Sequence, residues 1–393
     1  MSHLQTPVFH PTPNSRLPSE ASRGPQVDWP DAARKQAFEG WLAGLAVAQG
    51  LLPDTLRPAS ADASFRRYLR IDASRGSRGS RIIMDAPPER ENCEPFVKVD
   101  ALMAEAGLLV PQILAWDAPQ GFMLLDDLGS QTMMDVIQPQ DPQANHSMYL
   151  QAVDALITWQ LASRPGVLPP YDEALLAREL ALFPDWYLTQ HRGVTLEGAA
   201  RKTLDDAFAK IIARNLARPC VYVHRDFMPR NLMIPAAPGE RRLGGAVETR
   251  LGVTVETRLG VLDFQDAVYG PITYDIASLM RDAFLTWDEE FVLDITIRYW
   301  QKARKAGLPV GEDFGEFYRG VEWMGLQRHL KVAGIFARLT LRDGKPRYLA
   351  DAPRFLHYIR TTADRYRELG PFLKLIDQIE GTEPTVGIAY GRM

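Results

Sequence analysis

A polar loop between two short apolar runs carries the residues best suited to chemistry. The runs are residues 221–223 and 232–234, and the loop has the spacing His-Arg-Asp-x-x-x-x-Asn, which contains Asp226 and Asn231. A later apolar run, Gly-Val-Leu, ends at Asp263. A carboxylate that orients a hydroxyl, together with oxygen ligands for Mg²⁺, is what phosphoryl transfer requires. The order of these residues therefore predicts a kinase-type phosphoryl-transfer site.

The roles of the polar residues follow from where they stand. Asp226 is predicted to orient or deprotonate the attacking hydroxyl, while Asn231 and Asp263 supply oxygen ligands to Mg²⁺. His224 and Arg225 are expected to brace the loop by hydrogen bonds. The alternative is a capping Asp and a loop Asn in an ordinary turn. The second strand that ends in Asp, within a helical region, argues against that alternative.

Composition excludes several classes of function. The chain has 393 residues, of which 46% are hydrophobic, so it can form two or three packed cores. A net charge of −4 without a basic stripe gives no argument for nucleic acid. The longest apolar candidate, residues 41–52, is well short of the ~20 residues that span a bilayer. The two cysteines, Cys93 and Cys220, form no disulfide framework, so we expect a cytoplasmic protein.

The first part of the chain predicts a helix packed on a small antiparallel sheet. Residues 1–27 are rich in Pro, Ser and Arg and predict a flexible tail, and residues 28–128 predict a nucleotide-binding lobe. A helix is predicted at 31–52, ended by Pro53 and Pro58, and a second at 96–107. Five strands are predicted from period-two patterns, at the two ends of 60–71 and at 81–86, 108–116 and 122–126.

Helical periodicity dominates residues 129–393, which predict a catalytic and substrate-binding lobe. The fold class is therefore α+β and bilobal, like the protein kinases, with a small antiparallel-sheet N-lobe and a larger, mostly helical C-lobe. The sequence Val-Glu-Thr-Arg-Leu-Gly-Val occurs twice, at 247–253 and 255–261, and predicts an enlarged hairpin. The helices are predicted at 148–164, 172–191, 196–215, 274–287, 291–306, 314–342 and 353–380.

Two motifs give the chain a family resemblance that covers roughly residues 30–380. Val-His-Arg-Asp-Phe-Met-Pro-Arg-Asn at 223–231 and Leu-Asp-Phe-Gln-Asp-Ala-Val-Tyr-Gly-Pro at 262–271 resemble the aminoglycoside phosphotransferase and choline kinase-like superfamily. Four shorter segments are similar to its bacterial kinases for N-acetylmuramate and N-acetylglucosamine: 63–68, 84–89, 182–187 and 327–336.

The resemblance implies an ATP- and Mg²⁺-dependent enzyme. It implies phosphorylation of the anomeric hydroxyl of these amino sugars to an α-1-phosphate used in cell-wall recycling, by a protein expected to be monomeric. Two alternatives stay open. One is another acceptor, such as an aminoglycoside, choline or homoserine, and the other is a pseudokinase that binds ATP without turnover.

The nucleotide-binding residues depart from the kinase pattern. The third strand lacks the usual Lys, which leaves Arg66, Arg67 and Arg230 as candidate cations for phosphate, and Glu105 as a candidate partner for such a cation. A solvent-facing position for Glu105 is the alternative. The turn at 61–65 contains no glycine, although the amides around Ser64 and Phe65 can still approach phosphate. An ordinary hairpin turn is its alternative.

The acceptor pocket is expected within the helical lobe. Gln265 and Asp266 are candidates for hydrogen bonds to sugar hydroxyls, although Asp266 also suits the cap of the next turn. Trp186 suits stacking on a sugar face or packing in the core. Arg281 and Arg328 are candidates for bidentate pairing with the carboxylate of N-acetylmuramate, or are surface arginines.

Overall fold

The computed structural model describes residues 27–60, 65–74, 79–235, 241–243, 246–248, 254–256 and 258–382. The chain divides into two compact units. The first comprises the chain up to Glu91 together with Leu114–Leu125, and the second comprises Asn92–Ile113 and Asp126–Met393. Residues 92–113, assigned to the first lobe by the predicted boundary near residue 128, therefore belong to the helical unit. Apart from Val27, the predicted tail lies outside the described residues.

The first unit contains a helix and a five-stranded sheet, as predicted. Helix α1, Ala32–Gln49, begins at Asp31, whose side chain accepts a hydrogen bond from the Arg34 amide at 2.7 Å. The strand order is β1-β2-β3-β5-β4. The strands are β1 (Leu51–Ser60), β2 (Arg67–Ala73), β3 (Ser80–Asp85), β4 (Ile113–Asp117) and β5 (Phe122–Asp126).

The predicted start of the first strand was wrong. Pro53 and Pro58 lie within β1 rather than in a connection after the helix. Proline cannot donate to a ladder, so it is tolerated in a strand mainly at a sheet edge, and β1 is an edge strand. The core of this unit forms around Phe38 and Phe122, whose rings meet edge to face with centroids 5.5 Å apart.

The second unit is mostly helical. Its long central helix α9, Phe314–Leu341, buries residues all around its circumference, which is typical of a helix enclosed by others. The remaining helices are α2 (Glu94–Glu105), α3 (Met133–Val136), α4 (Pro142–Leu161), α5 (Glu173–Leu182), α6 (Gly198–Leu216), α7 (Tyr274–Met280), α8 (Glu289–Lys305), α10 (Ala352–Arg365) and α11 (Gly370–Glu380).

The helix predicted at 274–287 ends early. Helix α7 stops at Met280, because the Asp282 carboxylate accepts hydrogen bonds from the amides of Phe284 and Leu285, at 2.5 and 3.2 Å. An Asp that binds its own downstream backbone competes with helix formation. Residues 281–288 therefore form a loop before α8.

The helix predicted at 172–191 changes register part-way along. After α5 the segment Phe183–His191 continues as a π-helix, which contains Pro184. Proline lacks the amide donor that an α-helical register would use there. Gly334 of α9 packs directly on the α5 end, where an added Cβ would meet the Leu182 carbonyl carbon at 2.3 Å.

Short strands complete the second unit. β6 (Cys220–Val223) pairs with β12 (Val268–Pro271), and β7 (Leu232–Met233) pairs with β11 (Gly260–Val261). The predicted hairpin of the duplicated segment is present where the structure describes it, since β9 (Ala246–Glu248) pairs antiparallel with β10 (Thr254–Glu256). Strand β8, Arg241–Leu243, lies on the other side of β9. Among the described residues, no helix is long and apolar enough to cross a membrane.

Candidate active site

Two loops are held face to face by the short strand pairs. The loop 224–231 leaves β6 after Val223 and enters β7 at Leu232, while the loop 262–267 leaves β11 after Val261 and enters β12 at Val268. Val223 pairs with Val268, and Leu232 pairs with Val261. Both ends of one loop are thus fixed to both ends of the other. This arrangement places Asp226 and Asp263 on neighbouring loops, as the sequence predicted.

Each loop contains one residue with left-handed backbone geometry. These residues are Arg225, with φ of 78°, and Asp263, with φ of 63°. Asp adopts this region more readily than most residues, whereas Arg does so at a cost of about 1–3 kcal/mol. Such strain persists only where surrounding contacts enforce it, so the contacts of Arg225 identify what holds the catalytic loop.

Asp275 fixes the backbone at the start of this loop. Its carboxylate, fully buried on α7, accepts hydrogen bonds from the amides of His224 and Arg225 at 2.7 and 3.0 Å. Burial raises the pKa of Asp275 to about 7, although these two hydrogen bonds act in the opposite direction. Asp275 therefore braces the start of the catalytic loop through these two contacts.

His224 braces the loop as a neutral imidazole. Burial lowers its pKa to about 4, so it carries no charge near neutral pH. Its Nε2 lies 3.0 Å from the Leu262 carbonyl and donates to it, and its Nδ1 accepts from the Asp226 amide at 3.2 Å. His224 therefore links the two facing loops, and its predicted bracing role is confirmed.

The predicted metal ligands lie side by side. The Asn231 side-chain nitrogen donates to the Asp226 carbonyl at 2.9 Å and to the Asp263 carboxylate at 3.2 Å. Because these bonds use the amide hydrogens, the Asn231 oxygen is left to face a cation. Gln265 donates to the other Asp263 oxygen at 2.9 Å, so it contacts a proposed metal ligand rather than an acceptor site. An amide oxygen and a carboxylate are ligands that Mg²⁺ accepts.

The rest of an Mg²⁺ coordination sphere must come from phosphate and water. Among the residues that the structure describes, no three His, Cys, Asp or Glu side chains are grouped to hold a metal. Mg²⁺ commonly uses one or two protein ligands plus substrate phosphates. The pair Asn231 and Asp263 fits that pattern.

Arg225 is held by a buried ionic cluster that we call the Glu179 cluster: Glu179, Arg225, Gln327, Lys331 and Tyr171. Glu179 is 4% exposed and accepts from Arg225 at 2.5 Å, Lys331 at 2.9 Å, Gln327 at 2.9 Å and Tyr171 at 2.5 Å. Burial alone would raise the pKa of Glu179, but the two cations outweigh it and lower the pKa to about 2.

Arg328 lies beneath the catalytic loop instead of at its surface. It is 3% exposed, and its Nη1 donates to the Arg225 carbonyl at 2.6 Å. Burial acts to lower its pKa, but Tyr274 and the Asp226 and Asp275 carboxylates raise it, so the guanidinium stays charged. The expectation that Arg328 meets a substrate carboxylate, or lies on a surface, does not match this position.

A family model decides the class of this site. The model of the phosphotransferase enzyme family matches residues 55–247 and 253–310, well over half of the chain. The chain belongs to the phosphotransferase enzyme family. This confirms the resemblance that the two loop motifs predicted, and it makes the protein a phosphotransferase with an alcohol group as acceptor.

Curated relatives and a solved structure agree with the family. A protein named N-acetylmuramate/N-acetylglucosamine kinase from Pseudomonas aeruginosa is 46% identical over 90% of this chain and 99% of its own. One of the same name from Neisseria meningitidis serogroup B is 48% identical over 83% of this chain and 90% of its own. The GDP complex of aminoglycoside 2'-phosphotransferase-IIIa has a TM-score of 0.55 at 12% identity, covering 84% of this chain and 99% of that one. The predicted protein-kinase-like α+β fold is confirmed.

Of the predicted nucleotide-binding residues of this phosphotransferase, Phe65, Arg66 and Arg67 are described in the first unit, whereas Glu105 belongs to the second. Ser64 lies outside the described residues. Phe65 is 59% exposed, and its amide donates to Glu91 at 3.3 Å. Arg66 pairs with the same Glu91 at 3.1 Å, and Arg67 pairs with buried Asp85. Both guanidiniums thus already pair with carboxylates, and Arg67 shares Asp85 with Arg34.

Helix α2 carries one exposed and one buried carboxylate, Glu105 and Asp100. Glu105 is exposed and pairs with Arg164 at 3.3 Å, which matches the solvent-facing alternative. Asp100 is 7% exposed, and among the described residues its Oδ1 has no hydrogen-bond partner. Burial raises its pKa to about 7. Phe96 and Asp100 stand one helical turn apart on α2, and the Phe96 and Phe264 ring centroids are 4.9 Å apart. This spacing is the sequence signal that could have identified Asp100 as a buried residue.

The remaining predicted acceptor residues are dispersed. Trp186 packs against the large hydrophobic core of the second unit, which matches the core-packing alternative. Asp266 has an exposed side chain, and its carbonyl accepts from Arg225 at 3.4 Å. Arg281 is nearly buried and donates to Glu289 at 2.8 Å. Sequence reasoning missed Glu179 altogether, because nothing local marks a helix Glu as buried.

Arg230 is the predicted cation that lies within the catalytic loop itself, and its side chain is exposed. Its guanidinium lies 4.8 Å from the Phe284 ring centroid, and within the described part of the chain it forms no ion pair. We expect Arg230→Ala to lower turnover about 100- to 1,000-fold, because a phosphate-binding cation is lost from the transition state. Steady-state kinetics with varied ATP measures this, with Arg201→Ala on α6 as the matched control. Unchanged ATP affinity and turnover would show that the cation comes from elsewhere.

Proposed function

We propose that this phosphotransferase is an ATP-dependent sugar kinase that phosphorylates the anomeric hydroxyl of N-acetylmuramate and N-acetylglucosamine. The observation that carries this proposal is that Asn231 donates hydrogen bonds to the Asp226 carbonyl and to the Asp263 carboxylate, so that the three residues are joined across two facing loops. The acceptor is supported by the names of relatives that are 46% and 48% identical to this chain. The use of ATP as phosphoryl donor is supported by the names of these relatives, which are kinases.

The proposed reaction is a direct displacement at phosphorus. The anomeric oxygen bonds to the γ-phosphorus as the bond from that phosphorus to the bridging β–γ oxygen breaks, and ADP leaves. The hydroxyl proton passes to the Asp226 carboxylate. Asn231 and Asp263 would hold Mg²⁺, which neutralises phosphate charge when bound. Asn231 also fixes the Asp226 backbone, so the base and the metal ligands share one support.

The product would be a sugar α-1-phosphate for recycling of cell-wall peptidoglycan. We place the enzyme in the cytoplasm, as a monomer that needs neither nucleic acid nor membrane. Two free thiols, Cys93 and Cys220, support a reducing compartment.

Consumption of ATP against a panel of acceptors tests this function. We expect turnover with N-acetylmuramate and N-acetylglucosamine, formation of an acid-labile 1-phosphate, and little turnover with an aminoglycoside, choline or homoserine. Turnover with one of the latter alone would assign the protein to another acceptor. ATP binding without turnover on any acceptor would favour the pseudokinase alternative.

A further inference from the structure

A cavity of about 250 Å³ lies in the second unit, at the loop that follows α7. The cavity has polar and aromatic walls. Three threonines and His357 offer hydrogen-bonding groups, and Trp287 and Tyr358 contribute aromatic side chains to the lining. Aromatic faces with convergent polar groups are typical of small-ligand sites. The lining residues are Arg281, Thr286, Trp287, Asp288, Glu289, Glu322, His357, Tyr358, Thr361, Thr362 and Arg365.

A short loop links this cavity to the catalytic loop. The Arg230 guanidinium contacts the Phe284 ring at 4.8 Å from its centroid, and Thr286, which lines the cavity, is the second residue after Phe284. Two residues of chain reach about 7 Å at most. Burial raises the pKa of Asp282 in the same loop, and the charges of Arg328 and Arg230 act to lower it. The loop 281–288 therefore connects the cavity wall to the loop that contains Asp226.

Two arginines and two glutamates form a closed set of ion pairs in the wall. Arg281 donates from Nη2 to both oxygens of Glu289, at 2.9 and 2.8 Å, and lies 3.0 Å from the Tyr318 hydroxyl. Arg365 donates from Nη1 to Glu289 at 3.2 Å and to Glu322. Each glutamate is neutralised, so these carboxylates offer no surplus of negative charge to a polycationic acceptor.

The only other carboxylate in the described lining, Asp288, is used by the fold. Its side chain accepts from the Phe291 amide at 2.7 Å and caps the start of α8. A helix N-terminus carries partial positive charge, which offsets this carboxylate. With three carboxylates against two guanidiniums, the lining has no net positive charge, so a ligand anion would have to be bound by a single guanidinium edge.

Arg365 keeps one edge of its guanidinium available. Its side chain is 39% exposed, and both of its ion pairs use Nη1. Within the described ranges, Nε and Nη2 of Arg365 make no hydrogen bond. The Nε–Nη2 edge of a guanidinium matches the two oxygens of a carboxylate. The Glu289 and Glu322 contacts hold this edge in place.

We propose that this cavity is the acceptor-sugar subsite and that the Nε–Nη2 edge of Arg365 binds the carboxylate of N-acetylmuramate. The inference rests on the function proposed above. N-acetylmuramate carries a lactyl ether with a carboxylate, whereas N-acetylglucosamine carries a hydroxyl at that position and is neutral. Arg365 thus determines how strongly the enzyme favours the anionic sugar, while the cavity walls bind the ring that both sugars share.

The test compares kcat/KM for the two sugars in matched variants. We expect Arg365→Gln to lower kcat/KM about 10- to 100-fold for N-acetylmuramate and less than about threefold for N-acetylglucosamine, since only one contact to a charged group is lost. Arg365→Lys, which keeps the charge toward Glu322 but lacks the fork, should lose less. Arg201→Gln, an exposed arginine on α6 paired with Asp205, is the control. Thr361→Trp, which fills the cavity, should lower kcat/KM for both sugars.

The outcomes separate this inference from the proposed function. If the wild-type enzyme phosphorylates neither sugar, the proposed function is wrong. If it phosphorylates both, and Arg365→Gln lowers kcat/KM equally for the two sugars or for neither, Arg365 does not bind the carboxylate. Unchanged kinetics in Thr361→Trp would show that the acceptor binds outside this cavity. Arg365 also neutralises buried Glu322, so thermal unfolding is measured for each variant. If Arg365→Gln does not fold, the ratio of kcat/KM for the two sugars in Arg365→Lys tests the role of Arg365.

Discussion

An Asp226→Asn enzyme should turn over about 100- to 10,000-fold more slowly than the wild type, because the carboxylate that we propose accepts the hydroxyl proton is lost. Its fold should be preserved, since the loop holds Asp226 by its main chain. The Asp226 amide donates to His224 at 3.2 Å, and its carbonyl accepts from Asn231 at 2.9 Å. Neither contact uses the carboxylate. An amide of the same shape therefore removes the chemistry and leaves the loop geometry in place.

Three measurements make this prediction decisive. Steady-state turnover gives the effect, thermal unfolding reports the fold, and titration with an ATP analogue reports nucleotide binding. Asp206→Asn is the matched control, because Asp206 is exposed on α6 and pairs only with Lys202 among the described residues, at 2.8 Å. Near wild-type turnover in Asp226→Asn would exclude Asp226 as the base. A large loss of ATP-analogue affinity would instead assign it to nucleotide or metal binding.

The catalytic pattern was predictable because its residues are local in sequence. Asp226 and Asn231 stand in one loop between two apolar strands, and β11, the strand that leads to Asp263, pairs with β7, the strand that follows this loop. Strand-loop-strand patterns depend on nearest-neighbour hydrophobicity, which a single sequence displays. The five-stranded sheet and most helices were predictable for the same reason.

The surroundings of the catalytic loop were not predictable, because they come from distant segments. Arg328 reaches the loop from α9, about a hundred residues later, and Glu179, which is paired with Lys331 of α9, reaches it from α5. A helix that is buried all around gives no amphipathic signal to separate charged residues in the core from charged residues at the surface. The sequence therefore placed Arg328 in the acceptor pocket or on the surface and overlooked Arg365.

The loop 281–288 was not predicted, because a local hydrogen bond ends the helix before it. Helical spacing continues to Trp287 in the sequence, yet the Asp282 side chain binds the following amides and ends the helix at Met280. Periodicity does not report such competition. The cavity walls that Thr286 and Trp287 provide exist only because the helix stops there.

The Glu179 cluster should control both stability and catalysis. Glu179→Gln keeps the shape of the side chain but leaves Arg225 and Lys331 as buried cations without a counter-charge. Breaking a buried ion pair from one side costs about 3–5 kcal/mol of unfolding free energy. Because the cluster holds Arg225 at φ of 78°, next to Asp226, turnover should also fall, with kcat affected more than the KM for ATP.

Two comparisons identify the origin of that loss. Glu173→Gln, an exposed glutamate on the same helix, should change the unfolding free energy by less than about 0.5 kcal/mol. Adding Lys331→Met to Glu179→Gln removes one of the two stranded cations, so the double variant should recover part of the lost stability. Additive losses in the double variant would show that Glu179 and Lys331 act independently, contrary to the 2.9 Å ion pair.

The pH dependence gives the sharpest form of this prediction. The folded-state pKa of Glu179 is lowered from 4.5 to about 2, so its contribution to stability is present above pH 4.5 and is lost as the pH falls through 2. That shift corresponds to about 3 kcal/mol. The difference in unfolding free energy between wild type and Glu179→Gln should therefore be constant near neutral pH and shrink between pH 4.5 and 2. A difference that does not change with pH would mean that packing, and not the charge on Glu179, holds Arg225 in its position within the catalytic loop.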